Sequence, residues 1–147
     1  MRFTSAEVVV QRLFDACTAR SVDALLANYA QDAHQYEFPV RLLASGHAQI
    51  RFRAKRQLAD PLFQSRLVQR AVMGNVVVEH QELTATLADG PGRSEVIGIY
   101  LVDRGLIRTA TFLYGAEVAD GLRHTFGFAG AWAPERNAIG LDAYHAK

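Results

Sequence analysis

The chain has 147 residues, half of them hydrophobic and 21% charged, with a formal net charge of +1. This is the balance of an ordinary soluble globular domain, at a length that suits one domain over residues 1–147. Near-neutral charge excludes a general polyanion binder, and no apolar run approaches the roughly 18 residues that a membrane span needs.

With no secretory pattern at the N-terminus, a cytoplasmic location is the expectation. Thr4 or Ser5 can cap a first helix with Glu7 in its first turn, and Val9, Val10, Leu13, Phe14 and Cys17 recur at helical spacing up to Arg20. The lone cysteine, Cys17, sits inside that apolar pattern and reads as a buried, inert thiol. Ser21 or Asp23 restarts a short second helix carrying Leu25, Leu26 and Tyr29. A strand over about 33–38 follows, and Pro39 ends its hydrogen bonding. Ser45 and Gly46 open a third helix over 47–59, stopped by Asp60–Pro61.

Beyond Pro61 the pattern turns to long strands, 66–73, 76–87, 94–102 and 106–114. The turns between them are Gly74–Asn75, Asp89 to Gly92, and Asp103 to Gly105. If the first of these closes as a two-residue loop, Arg70 stands opposite Glu79 and Gln69 opposite His80. Helices first and strands after define an α+β class with a mostly antiparallel meander. The stretch 115–147 has no clear periodicity; it reads as an extension that covers a pocket or a dimer interface, with Phe126, Phe128 and Trp132 as its anchors.

Four segments in this order, VDALLANYAQDAHQYEFP, SGHAQIRFR, VQRAVMGNVVVEHQEL and EVIGIYLVDRGLIRTATFLY, resemble the nuclear transport factor 2-like superfamily over about residues 5–114. That superfamily includes SnoaL-like polyketide cyclases, ketosteroid isomerases and limonene-type epoxide hydrolases. The resemblance implies a cystatin-like α+β roll, a cone-shaped curved sheet with three N-terminal helices enclosing a pocket. It also implies a homodimer packed through the sheet and a small apolar or cyclic organic ligand, with no cofactor.

The same resemblance implies a site. Glu37 stands where ketosteroid isomerases carry their catalytic carboxylate, five residues beyond Asp32 and nine before Gly46. A carboxylate in an apolar pocket is poised to move a proton off carbon. Simple alternation points the other way: it puts His34, Tyr36 and Phe38 inside and leaves Gln35 and Glu37 on a wet face. The isomerase tyrosine and aspartic acid positions fall at Leu13 and Gly98, neither of which donates a side-chain hydrogen bond, so a classical steroid isomerase is not expected. Glycine at 98 also leaves room for something bulky to approach.

The resemblance further implies that the inward positions of the last two strands fall at Val96, Gly98 and Tyr100, then Ala110, Phe112 and Tyr114, an apolar wall with phenolic tips. Three functions stay open. One is an isomerase or cyclase with Glu37 as base and Tyr100, Tyr114 or Arg70 holding the oxyanion. The second is a noncatalytic ligand-binding or assembly domain. The third is epoxide hydrolysis by Glu37, Arg70 and Glu79. His80 is a further acid–base candidate. No tight ligand spacing suggests a metal, and the basic run Arg51, Arg53, Lys55, Arg56 reads as a solvated helix surface without nucleic-acid partners.

Overall fold

The computed structural model describes residues 2–87 and 90–115; the expected anchor Trp132 and the rest of 116–147 lie outside the described residues. Helix α1 (Ala6–Thr18) starts where Ser5 accepts a hydrogen bond from the Val8 N–H, with Glu7 in the first turn. Its buried stripe is Ala6, Val9, Val10, Leu13 and Ala16, the spacing of one helical face. Arg20 ends the helix in the left-handed region at φ 58. Ser21 then caps α2 (Val22–Leu26) by accepting from the Ala24 N–H at 3.1 Å.

Strand β1 (Tyr29–Glu37) begins four residues before the sequence predicts it. Helical spacing groups Tyr29 with Leu25 and Leu26, but the Asn28 carbonyl accepts from the Ile107 N–H at 2.8 Å and draws the chain into the sheet. Pro39 interrupts only briefly, because β2 (Arg41–Ser45) doubles back along β1 where a loop is expected. Helix α3 (Gly46–Ala59) follows, then β3 (Gln64–Met73), β4 (Val76–Leu87), β5 (Gly90–Asp103) and β6 (Leu106–Tyr114). The expected turn at 89–92 is shorter than its glycines suggest, since β5 already pairs from Gly90, opposite Leu87.

The six strands form one sheet in the order β2-β1-β6-β5-β4-β3, antiparallel except for the parallel β1–β6 pair. The α+β class stands, and the cone does not. The sheet is neither closed nor strongly curled, and its edge strands β2 and β3 do not pair. A sheet curls sharply where bulges bend it, and the central β4–β5 ladder runs unbroken from Val76 opposite Leu101 to Leu87 opposite Gly90. Irregularities fall elsewhere, between Gln35 and Tyr36 and between Leu67 and Gln69 among others. The core lies between one face of this open sheet and the helices, with Val10, Ile50, Val77, Ile107 and Ala110 at 0% exposure.

Candidate functional site

One row of directly paired residues crosses the covered face: Arg70 on β3, Glu79 on β4, Gly98 on β5, Phe112 on β6, Glu37 on β1 and Arg41 on β2. Directly paired residues share a face, so Glu37, Arg70 and Glu79 all belong to the helix-covered side. The hairpin register that sets Arg70 opposite Glu79 is the one that Gly74–Asn75 dictates.

Glu37 is 2% exposed and Gln35 7%, whereas Phe38 is 38% exposed. Alternation by hydrophobicity therefore fails on β1, because the polar set is the buried one. The two acids are nonetheless far apart along the row. Three strand steps at about 4.8 Å separate β4 from β1, roughly 14 Å. Arg70 lies on the far side of Glu79 from Glu37, so it does not stand between two carboxylates.

Arg70 is engaged instead in a local network. Its Nε donates to Glu79 at 2.7 Å and its Nη1 to Gln11 of α1 at 2.7 Å, while the Gln81 amide donates to the other Glu79 oxygen at 2.7 Å. Ser65 in turn donates to Gln81. Glu79, 1% exposed, thus has both oxygens occupied by protein donors. His80 faces the other way on β4, opposite Gln69 as expected, and pairs with Glu95 at 2.8 Å outside the covered face.

A cavity of about 90 Å³ lies between α1, α3 and the sheet. Of the candidate ligand contacts, Gln35, Val96, Tyr100, Phe112 and Tyr114 line it, together with Glu79. Glu37 sits one step beyond Gln35 and is not in the lining, though its charge acts on Arg53. Cys17, Phe63 and Ser65 also border an outer recess of about 470 Å³ that Arg20, Arg66, Arg93 and Glu82 flank. Burial, followed by the charge of Glu79, pushes the Cys17 thiol up to about 12, which keeps it protonated and unreactive.

Gly98 has a clear tenant. The Tyr100 ring folds back over it, with Cε2 2.9 Å and the hydroxyl 3.0 Å from the place a Cβ at 98 would occupy. The room left by this glycine is filled from within the same strand. Tyr100 also meets Phe112 edge to face at 6.2 Å.

Two lining residues escape the sequence pattern. Arg53 does not lie on a solvated surface; it reaches into the cavity, donates to the Gln35 carbonyl and to Tyr114, and sits 6.0 Å over the Phe112 ring. Desolvation lowers its pKa, against the opposing pull of Tyr114, Tyr29 and Glu37. Its inward direction was available in the spacing, since Ile50, Arg53, Ala54, Gln57 and Leu58 fall on one helical stripe. The second is Tyr29, whose hydroxyl accepts from the Gln35 amide at 3.1 Å. Among the described residues no group of three potential metal ligands forms.

An α+β sheet with helices on one face and a polar-lined cavity beneath them defines a small-molecule pocket scaffold. Residues 10–110 match the SnoaL-like domain, and the chain belongs to this family within the nuclear transport factor 2-like superfamily. No curated protein matches it significantly in sequence. Among solved structures it is similar to a limonene-epoxide-hydrolase-like epoxide hydrolase of M. tuberculosis, with TM-score 0.67, 14% identity, and 97% and 98% of the two chains covered. A putative SnoaL-like polyketide cyclase from Jannaschia gives TM-score 0.67 at 13% identity, covering 87% of this chain and 94% of that one. A ketosteroid-isomerase-like fold protein from Catenulispora acidiphila, solved with trimethylamine, gives 0.65 at 15%, covering 86% and 97%. At these identities the likeness concerns the fold.

Proposed function

We propose that this protein is a cofactor-independent enzyme of the isomerase or cyclase type, moving a proton on a small neutral molecule activated by a carbonyl group. Glu37 is the base. Its carboxylate takes the proton from the carbon next to the carbonyl; the C–H electrons form the enolate double bond and the charge settles on oxygen. Where the substrate carries a β,γ double bond the enolate is a dienolate, and the protonated Glu37 returns the proton to its γ-carbon, which moves the double bond into conjugation and balances the isomerisation. Tyr100 donates to the enolate oxygen.

The observation that carries this reading is the burial of Glu37 beside a cavity that holds phenols and a guanidinium. Charge balance supports a neutral substrate. Glu79 pairs with Arg70 and the charge of Glu37 acts on Arg53, so a ligand charged from the start would add an uncompensated charge to the interior, whereas an oxyanion that forms as Glu37 takes up its proton leaves the total unchanged. Size supports a small reacting group, because about 90 Å³ is less than the ~150 Å³ cavity that takes up benzene. The remainder of a larger substrate extends into the outer recess.

Deuterium exchange at the carbon next to the carbonyl, followed by NMR in heavy water over a panel of small ketones and β-diketones, tests the proposal. Native protein accelerates exchange of at least one member, and Glu37→Gln reduces that rate by at least about a hundredfold, the usual worth of a general base. Exchange that survives Glu37→Gln removes Glu37 as the base, and a native protein inert toward the whole panel favours a noncatalytic binding domain.

A further inference from the structure

Two hydroxyl protons in the cavity have no acceptor among the described residues. Tyr29 accepts from the Gln35 Nε2, with the Gln35 carbonyl end turned to Arg53, and its own O–H meets no acceptor among the described residues. The orientation of the Gln35 amide is fixed, since a guanidinium only donates and must face the carbonyl end. Tyr100 is 5% exposed, lines the same cavity, and makes no hydrogen bond among the described residues. Its hydroxyl lies over Gly98, 3.0 Å from the place a Cβ there would occupy, on the covered face that the cavity borders. A buried phenol without an acceptor is costly unless something else supplies one.

We infer that Tyr29 and Tyr100 form a two-phenol oxyanion receptor, with Tyr29 polarised by Arg53 through Gln35, and that the ligand presents a single carbonyl or enolate oxygen to both. One such oxygen has two lone pairs and takes both protons. In the chain Arg53 to Gln35 to Tyr29, each donor strengthens the next, so the guanidinium charge is felt at the ligand without touching it. Arg53 and Gln35 are therefore positioning residues. Burial raises the pKa of both phenols, chiefly by desolvation, which keeps them protonated donors across the physiological range. This assignment rests on the acid–base reading for its substrate class, and it fills the donor role that Leu13 and Gly98 cannot serve.

Binding of 4-nitrophenol tests it, because the nitrophenolate oxygen mimics an enolate and its colour reports its ionisation. Nitrobenzene, the same nitro-substituted ring without the phenolic oxygen, is the control. Native protein binds nitrophenolate more tightly than nitrobenzene and shifts its ionisation to lower pH. Tyr29→Phe and Tyr100→Phe each weaken nitrophenolate about tenfold or more, the worth of a hydrogen bond to a charged group, and leave nitrobenzene unchanged. Gln35→Leu keeps both hydroxyls and cuts the chain; it also weakens nitrophenolate, and it carries the test if Tyr29→Phe does not fold. Unchanged or tighter nitrophenolate binding in Tyr29→Phe or Gln35→Leu overturns the inference, as does a native protein that binds nitrophenolate no better than nitrobenzene. The two proposals fail separately. Tyrosine-dependent nitrophenolate binding without Glu37-dependent exchange removes the enzyme and keeps the receptor, and the converse removes only the receptor.

Discussion

At the scale of single residues, Gly98 shows how an absent side chain makes room for another. A methyl group there would stand 2.9 Å from Tyr100 Cε2 and 3.2 Å from Cζ, closer than carbon atoms pack. The obstacle is the far end of a side chain rather than backbone, so the ring swings away and the strand stays. Gly98→Ala is therefore expected to cost about 1–3 kcal/mol, the usual range for overpacking. Nitrophenolate affinity in the same variant falls with the displaced hydroxyl. Calorimetry beside probe titration separates the two effects; a variant with native affinity would show that the Tyr100 hydroxyl does not need this glycine. The reason for Gly98 was half legible in the sequence. Its small size announced a close approach, but only the fold shows that the visitor is Tyr100, two residues along.

At the scale of elements, the α3–β3 corner is tied down by two side chains. Arg20, at the end of α1, donates to the carbonyls of Leu58, Asp60 and Phe63 at 3.0, 2.9 and 2.6 Å. Asp60 accepts from the Leu62 N–H at 3.0 Å and from the Thr86 N–H and hydroxyl at 2.7 Å each. Desolvation pushes its carboxyl up, but the Thr86 and Leu62 donors and the Arg20 charge outweigh that and hold it below its ordinary 3.8. A depressed carboxylate pKa contributes stability that is present above the unfolded value and lost as pH falls through the folded one. Native protein should lose this stability below about pH 4. Asp60→Asn should be less stable at neutral pH, by a difference that narrows on acidification. Urea titrations across pH measure this, and a constant gap would remove the ionised carboxylate from the explanation.

The elements also show what sequence could and could not reveal. The Arg70–Glu79 pairing was legible because Gly74–Asn75 fixes a two-residue loop and the ladder follows by counting. Tyr29 was not, since its helical spacing from Leu25 and Leu26 is genuine and only β6, nearly eighty residues away in sequence, claims it for a strand. Arg53 was hidden by its neighbours Arg51, Lys55 and Arg56, which do point outward. Its place on the Ile50–Ala54 stripe outweighs its charge once Gln35 offers an acceptor. The expected cone came from resemblance alone, and the unbroken β4–β5 ladder has no sequence signature that would have warned against it.

At the scale of the whole molecule, the helices cover one face of the sheet. The other presents Val76 and Val78 on β4, Ile97, Ile99 and Leu101 on β5, and Leu113 on β6, bordered by Met73. Met73 is 77% exposed, Leu113 43% and Leu101 37%. A contiguous apolar sheet face in water is unfavourable and marks an interaction surface. A second copy of the chain is the occupant that the family resemblance implies, and a two-fold interface uses the same patch on both partners. The His80–Glu95 pair sits on this face too and would become a rim contact, worth little to affinity. Light scattering should give a dimer mass for native protein. Leu101→Asp, which places a charge within the patch beside Val76, should give a monomer with unchanged far-ultraviolet dichroism, because burying an unpaired carboxylate is far more costly than exposing it. A native monomer would remove the dimer and point to residues 116–147 as the cover; truncation before them should then raise binding of a hydrophobic dye.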